Sequence, residues 1–407
     1  MEATLTQPDT LTDSLSIREK EVFFPTYERF SIGEISSASG VFIDTESGDR
    51  YLDVIAGLGV NALGHSHPAV VKAVQEQAAR YMHLSNLYLQ DVQVTLAEKL
   101  STLSGWSKVF FTNSGTEAVE GALKLARKYF SSKEKTELVG VSNSFHGRTY
   151  GALSVMDKGK YRDDFGPFLN EATCLIPYLE KNLSERVSQK TAAVILEVIQ
   201  GEGGIIEVPA SFVKTLHELQ NKFGFLIIAD EIQSGIGRTG KFFAYEHYSL
   251  RPDIVVCAKA LGGGLPLGAI LSNDAIASAF KPGTHGTTFG GNAIACAAGL
   301  AVLTELENRL LDKVNSESAY LHDRLFGLKE KYPQLIKEIR GKGFMVGVDL
   351  LTPAKEIHSM LLQMKVITNV TANTVLRLLP PLVFDHENTD MFIDAFDATL
   401  NSHTSEA

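Results

Sequence analysis

The chain has 407 residues, of which 44% are hydrophobic and 21% charged, with a formal net charge of −10. That length calls for two or three compact units, and the hydrophobic share is ample for their cores. A diffuse negative charge argues against nucleic acid or an anionic membrane as the main partner, while leaving room for a local basic pocket.

The first twenty residues mix Glu2, Asp9, Asp13 and Glu19 with a single Arg18. They have neither the apolar stretch of a signal peptide nor the Arg-rich, acid-poor make-up of a transit peptide. No apolar run approaches the ~18 residues of a membrane span, since Ala192 to Leu196 and Phe225 to Ala229 are only strand-sized. These features predict a soluble, cytoplasmic protein with a flexible tail over 1–20. Cys174, Cys257 and Cys296 follow no paired spacing, which suits a reducing compartment. Each reads as a small buried residue and not as a nucleophile.

In chain order, "VFIDTESGDRYLD" at 41–53 has two short alternating runs around Ser-Gly-Asp, a hairpin pattern. His65 and His67 in "GHSHP" have no Cys or carboxylate cluster nearby, so they read as loop histidines without a metal. "TLAEKLSTL" and "TEAVEGALKLARKYF" carry apolar residues at helical spacing. "ELVGVS", "AAVILEVI", "FLIIAD" and "DIVVCAK" are Val- and Ile-rich runs suited to strands covered on both faces. The alternation from about Leu84 to Leu300 predicts an α/β domain with a mostly parallel sheet, its ligands at the carboxyl ends of the strands. A long helical stretch then leads into "IKEIRGKGFMVGVDL", "NTVLRLLPPLVF" and a closing helix near 389–401. This predicts a smaller α+β domain over 300–407, completed by 21–64, with the large domain over 65–299.

Gly235-Ile236-Gly237-Arg238-Thr239-Gly240 satisfies the dinucleotide pattern and nearly satisfies a P-loop. The P-loop needs Ser or Thr after its Lys, and Phe242 follows Lys241. A dinucleotide site needs its glycines tight against a strand end, where Asp230 to Gln233 stand instead. A nucleotide-dependent enzyme is therefore only a remote alternative.

The strand ends carry more. "FLIIAD" delivers Asp230 and "DIVVCAK" delivers Lys259, followed by the glycines of "ALGGGLPLG". The two could be a buried ion pair. They are also what pyridoxal phosphate requires: an amine to form a Schiff base, and a carboxylate to keep the pyridine nitrogen protonated. Asn113-Ser114-Gly115-Thr116 opens a helix after "KVFF", which suits a phosphate or an ordinary N-cap by Ser114. "HGTTFGGN" adds Thr287 and Thr288 among glycines. In "SFHGRT", Phe145 could cover a flat ring, and Arg148 could fork onto a substrate carboxylate. Arg377 in "VLRLLPPL" is either paired inside or points into a site, and Glu202 in "IQGEGG" is a plausible partner.

The ordered set "VNALGHSHP", "NSGTEA", "SFHGRT", "ILEVIQGEGG", "ADEIQSGIGRTG", "AKALGGGLPLGA", "GTTFGGN" and "LRLLPPL" resembles class III aminotransferases over about residues 22–400. Within that class it is most similar to the acetylornithine members. The resemblance implies an aspartate aminotransferase-like fold (fold type I) in a homodimer. It implies pyridoxal phosphate as cofactor, with Lys259 as Schiff-base lysine and Asp230 on the pyridine nitrogen. Gln233 would reach the ring hydroxyl, Phe145 and Ile232 would sandwich the ring, and Ser114, Gly115 and Thr116 would hold the phosphate. Thr288 would reach the partner subunit's phosphate, with Thr287 beside the substrate. Arg148 and Arg377 would anchor substrate carboxylates, with Glu202 pairing to Arg377 and Tyr27 also at the substrate. The implied reaction passes an amino group from N-acetylornithine to 2-oxoglutarate, with ornithine, succinylornithine or 4-aminobutyrate as alternative donors. Val198 where the family usually has Pro, Phe30-Ser31 after Tyr27-Glu28-Arg29, and Ile232 for Val are departures from the family pattern.

Overall fold

In the computed structural model, which describes residues 11–406 except 31, 133, 158, 171, 176 and 177, seventeen strands are assigned. They are β1 (Ile35–Ser39), β2 (Phe42–Thr45), β3 (Arg50–Asp53), β4 (Lys108–Thr112), β5 (Glu137–Val141), β6 (Ala172–Leu175), β7 (Thr191–Leu196), β8 (Ile199–Gln200) and β9 (Ile206–Glu207). Then follow β10 (Leu226–Asp230), β11 (Ile254–Cys257), β12 (Gly268–Ser272), β13 (Ile336–Lys342), β14 (Met345–Leu350), β15 (Val366–Ile367), β16 (Asn369–Thr371) and β17 (Val375–Leu378).

The main sheet has the order β4-β12-β11-β10-β7-β5-β6. Its strands run parallel except β12, which is antiparallel to both β11 and β4. Alternate residues feed two cores, as the two-residue period of a strand requires. Val194, Ile227, Ala229 and Val255 face one side, and Ile195, Ile228, Ile254 and Val256 the other. Both faces are therefore dry, which is why these strands lack alternating polar residues. On the second face lies the helix Gly115–Tyr129, which buries Ala118, Val119, Ala122, Leu123 and Ala126 at helical spacing.

Two four-stranded sheets flank this layer, with orders β1-β2-β3-β15 and β13-β14-β17-β16. In the first, the hairpin anticipated at 41–53 pairs in parallel with a strand from the far end of the chain, Leu52 opposite Val366. The chain closes on the helix His386–Glu406, longer than the stretch expected near 389–401. Among the described residues, no helix is long and apolar enough to cross a membrane.

The flexible tail expected over 1–20 lies outside the described residues as far as 10, and from Leu11 it is corrected. Leu11–Val22 is helical, with Lys20 in its last turn and Glu19 paired to Arg29 at 3.2 Å. Its polar residues gave no apolar stripe to read.

The glycines at 235–240 are also not what their pattern suggests. Ser234 to Gly240 are all buried. The Phe344 N–H donates to the Arg238 carbonyl at 2.9 Å, and the Arg238 guanidinium donates to the carbonyls of Phe344 and Pro380. The run is a packing turn gripped by the β13–β14 hairpin, not a nucleotide cradle. Gly343, in that hairpin's turn, has φ +56°, and a Cβ there would sit 2.5 Å from the Thr239 carbonyl carbon. Gly343→Ala is expected to destabilise the protein by about 1–3 kcal/mol, since a strained φ and a backbone clash act together. An unchanged midpoint in urea unfolding would contradict this close packing.

Candidate active site

A cavity of about 490 Å³ opens where β10 and β11 end, side by side and parallel. Asp230 is the last residue of β10 and is 3% exposed. Lys259 follows β11 by two residues, in a short 3₁₀ turn. The Lys259 backbone is left-handed, φ 42°, a conformation uncommon outside glycine and often found at functional sites. Both side chains line the cavity.

Asp230 is held from both oxygens. Oδ2 meets His146 Nδ1 at 2.7 Å, and Oδ1 accepts from the Ile232 N–H at 3.0 Å. His146 is buried, so this contact is shielded from water. His146 Nε2 is buried without a hydrogen-bond partner, on a residue that lines the cavity. A second carboxylate, Glu197, accepts the Phe145 N–H at 2.6 Å and the Gly201 N–H at 3.1 Å. Burial and the neighbouring Asp230 push the Glu197 carboxyl up. Burial pulls the Lys259 ammonium down to about 8, with Arg377 adding to the shift and Glu202, Glu197 and Asp230 opposing it. Near neutrality, Lys259 can thus supply an appreciable fraction of free amine.

Phe145 and Ile232 both line the cavity. A Cβ on Gly115 would lie 2.8 Å from Ile232 Cδ1, so only glycine lets the helix start come this close. Ser114 does act as an N-cap, its hydroxyl accepting the Glu117 N–H at 3.3 Å. The Thr116 hydroxyl is bonded to Thr149 Oγ1 at 2.9 Å. The first-turn N–H groups of a helix have no intrahelical partner, and the dipole favours an anion there. Gly115 and Thr116 supply that first turn to the cavity. A flat ring, a phosphate at one end, a carboxylate under a ring nitrogen and an amine for an aldehyde all find a match. The residues fit pyridoxal phosphate.

Two arginines were expected at the substrate, and they differ. Arg148 lines the cavity, is exposed, and lies with its guanidinium 3.9 Å from the Tyr161 ring centroid. Arg377 is 1% exposed and stands behind two lining residues, donating to Glu202 Oε1 at 2.5 Å and Gln233 Oε1 at 3.3 Å. Gln233 comes so close to Gly201 that a Cβ there would meet its Oε1 at 1.9 Å.

The structure does not bring every expected residue here. Tyr27 is 75% exposed, lies under the Arg29 guanidinium and is not among the lining residues. Thr287 and Thr288 do not line the cavity either. Thr287 Oγ1 accepts from Asn113 Nδ2 at 3.2 Å, one step behind the lining, and Thr288 is exposed. His146, Glu197 and Tyr161 escaped the sequence reading. Glu197 carried the same signal as Asp230, an acid just past an apolar strand, but His146 and Tyr161 had none of their own.

The aminotransferase class-III family model matches residues 26–400. The chain is 42% identical over 386 residues to the acetylornithine aminotransferase of Clostridium acetobutylicum, covering 94% of this chain and 99% of that one. It is 44% identical over 392 residues to the acetylornithine aminotransferase of Caldanaerobacter subterraneus subsp. tengcongensis, covering 94% and 98%. The crystal structure of the ornithine aminotransferase from Toxoplasma gondii ME49 matches with a TM-score of 0.91 at 29% identity, covering 98% and 97%.

The depressed Lys259 ammonium has a measurable consequence. A lysine is nucleophilic only when neutral, so trapping of pyridoxal phosphate on the cofactor-free chain should speed up as pH rises through about 8 and level off above it. Borohydride reduction and peptide mapping should find the label on Lys259. A pH-independent rate, or label spread over surface lysines, would contradict the assignment.

Proposed function

The chain belongs to the class-III aminotransferase family, and from that premise we propose that it moves the terminal amino group of N-acetylornithine to 2-oxoglutarate, giving N-acetylglutamate semialdehyde and glutamate. It is a transaminase that uses pyridoxal 5'-phosphate. The observation that carries the substrate reading is the unlike state of the two arginines, one open and one masked by a carboxylate. Identity above 40% to acetylornithine aminotransferases over nearly the whole chain supports the choice of donor.

When bound, pyridoxal phosphate supplies an aldehyde for amines and a protonated ring that accepts the electron pair released at the substrate carbon. In the reading proposed here, the Asp230 carboxylate would hold the proton on the ring nitrogen, and His146 with the Ile232 N–H fixes where its oxygens point. Phe145 and Ile232, which line the cavity, would flank the ring, and Gln233 would reach its hydroxyl. Ser114, Gly115 and Thr116 would hold the phosphate at the helix start. Lys259 Nζ takes the proton from the substrate carbon and delivers it on the other side of the transfer.

Arg148 would take the carboxylate of the donor, with Tyr161 supporting its guanidinium plane. The donor needs no positive charge near its reacting amine, and Arg377 is neutralised there by Glu202. The acceptor brings a second carboxylate to that place, and Arg377 would then exchange Glu202 for it. Thr287 would stand beside the substrate.

The reading also takes the enzyme as a cytoplasmic homodimer. Met82, Leu87, Leu89 and Phe289 are all more than half exposed. Their segments are joined by bonds from Asn86 to the Thr287 and Gly290 carbonyls and from Asn292 to the Met82 carbonyl. An apolar patch of this kind marks an interface more often than a bare surface. Thr288 lies on it and would complete the phosphate site of the second subunit.

A panel of donors with 2-oxoglutarate tests the reading. N-acetylornithine is expected to exceed ornithine, succinylornithine and 4-aminobutyrate in kcat/KM, with ornithine about tenfold or more behind because it carries an extra charged amine. A higher kcat/KM for ornithine or 4-aminobutyrate would overturn the donor and leave the transaminase standing.

A further inference from the structure

Arg377 is gripped from the side opposite Glu202. Asn369 on β16 and Arg377 on β17 are directly paired in antiparallel register, so their side chains are cross-strand neighbours. Asn369 Oδ1 accepts from Arg377 Nε at 3.1 Å and from Nη2 at 2.6 Å. Glu202 and Gln233 accept only from Nη1. One edge of the guanidinium is thus fixed to the sheet, and one nitrogen is turned toward the cavity lining.

The same strand also holds the backbone of Glu202. Thr371, two residues along β16, donates its hydroxyl to the Glu202 carbonyl at 2.7 Å. On either side, the Gly201 N–H is tied to Glu197 and the Gly204 carbonyl accepts from Arg340 Nε at 2.8 Å. The Glu202 side chain is 24% exposed, whereas that of Arg377 is 2% exposed. Of the two partners, the Glu202 side chain is the more exposed to solvent, and its torsions can turn while its backbone stays held to the sheet.

We propose that Asn369 is a positioning residue that pins Arg377 in place, so that Glu202 alone moves when a dicarboxylate acceptor follows the amino donor. This rests on the reading of Arg377 as the acceptor's carboxylate site. Asn369 is a neutral acceptor, so it orients the guanidinium without consuming its charge. A carboxylate at 369 would hold the arginine equally well and cancel the charge that the acceptor needs.

The test compares wild-type holoenzyme with Asn369→Ala and Asn369→Asp, the latter keeping the side-chain volume should the former fold poorly. The rate of each half-reaction and the Kd of glutarate, a dicarboxylate that cannot react, are measured. Both variants are expected to raise KM for 2-oxoglutarate and the glutarate Kd by about tenfold or more, the scale of hydrogen bonds to a charged group. The amino-donor half-reaction is expected to stay within about threefold, because Arg377 is masked in that step. In a glutarate complex of the wild type, Arg377 should remain on Asn369 and Glu202 should have swung away. Parallel losses in both half-reactions, unchanged glutarate binding, or an Arg377 displaced from Asn369 would each overturn the inference. Failure of the wild type to react with any amino donor would sink the transaminase reading itself and this inference with it.

Discussion

A buried carboxyl group is costly unless hydrogen-bond partners meet its oxygens, and Asp230, almost wholly buried, has one on each, His146 Nδ1 at Oδ2 and the Ile232 N–H at Oδ1. The rest of the site is arranged around that constraint. A second buried carboxyl group, Glu197, stands close by, and burial together with Asp230 pushes it toward its protonated form. Lys259 comes from the adjacent strand end into the same field, where burial and Arg377 outweigh three carboxylates and leave it partly neutral. The cavity thus brings the Asp230 carboxyl group, beneath the proposed ring position, together with a Lys259 amine that burial leaves partly neutral.

The sheet makes this arrangement possible. Parallel neighbours β10 and β11 bring Asp230 and Lys259 to one edge, as an α/β sheet brings its ligand-binding residues to the carboxyl ends of its strands. The antiparallel β12 starts at that same edge, with Gly268 opposite Thr112 on β4. It lies between β11 and β4, and β4 leads into the helix start at Gly115. Close approach then falls on glycines. Gly115 admits Ile232 and Gly201 admits Gln233, so a methyl at either would press into the cavity lining.

Much of this was legible in the chain because local features were also functional ones. Asp230 and Lys259 stand at the ends of apolar runs, and Gly115 follows a capping serine. The dinucleotide-like glycines at 235–240 were correctly set aside, since their neighbours lacked the rest of the pattern. Their actual partner, the hairpin turn at Gly343, lies a hundred residues away and leaves no local trace. Asn369 shows the same limit: its role depends on the register between β16 and β17, and nothing in "TNVTA" announces it. The part of the expected 1–20 tail from Leu11 on falls in the helix Leu11–Val22, and an exposed helix needs no apolar stripe that a sequence could show. Tyr27 rests on the family resemblance alone, Thr287 and Thr288 on it and on the hydroxyls of "HGTTFGGN", and one chain by itself does not bring any of the three to the cavity lining.

In the proposed function, the charge on Asp230 drives removal of the substrate proton. Asp230→Asn keeps the shape and most of the hydrogen bonds but cannot hold a protonated ring nitrogen. The direct measurement is the single-turnover rate of the holoenzyme with an amino donor deuterated at its reacting carbon. The variant is expected to retain the cofactor while proton removal slows by about a hundredfold or more, with an enlarged isotope effect, because the electron sink is weakened. A rate near that of the wild type, with the cofactor still bound, would contradict it.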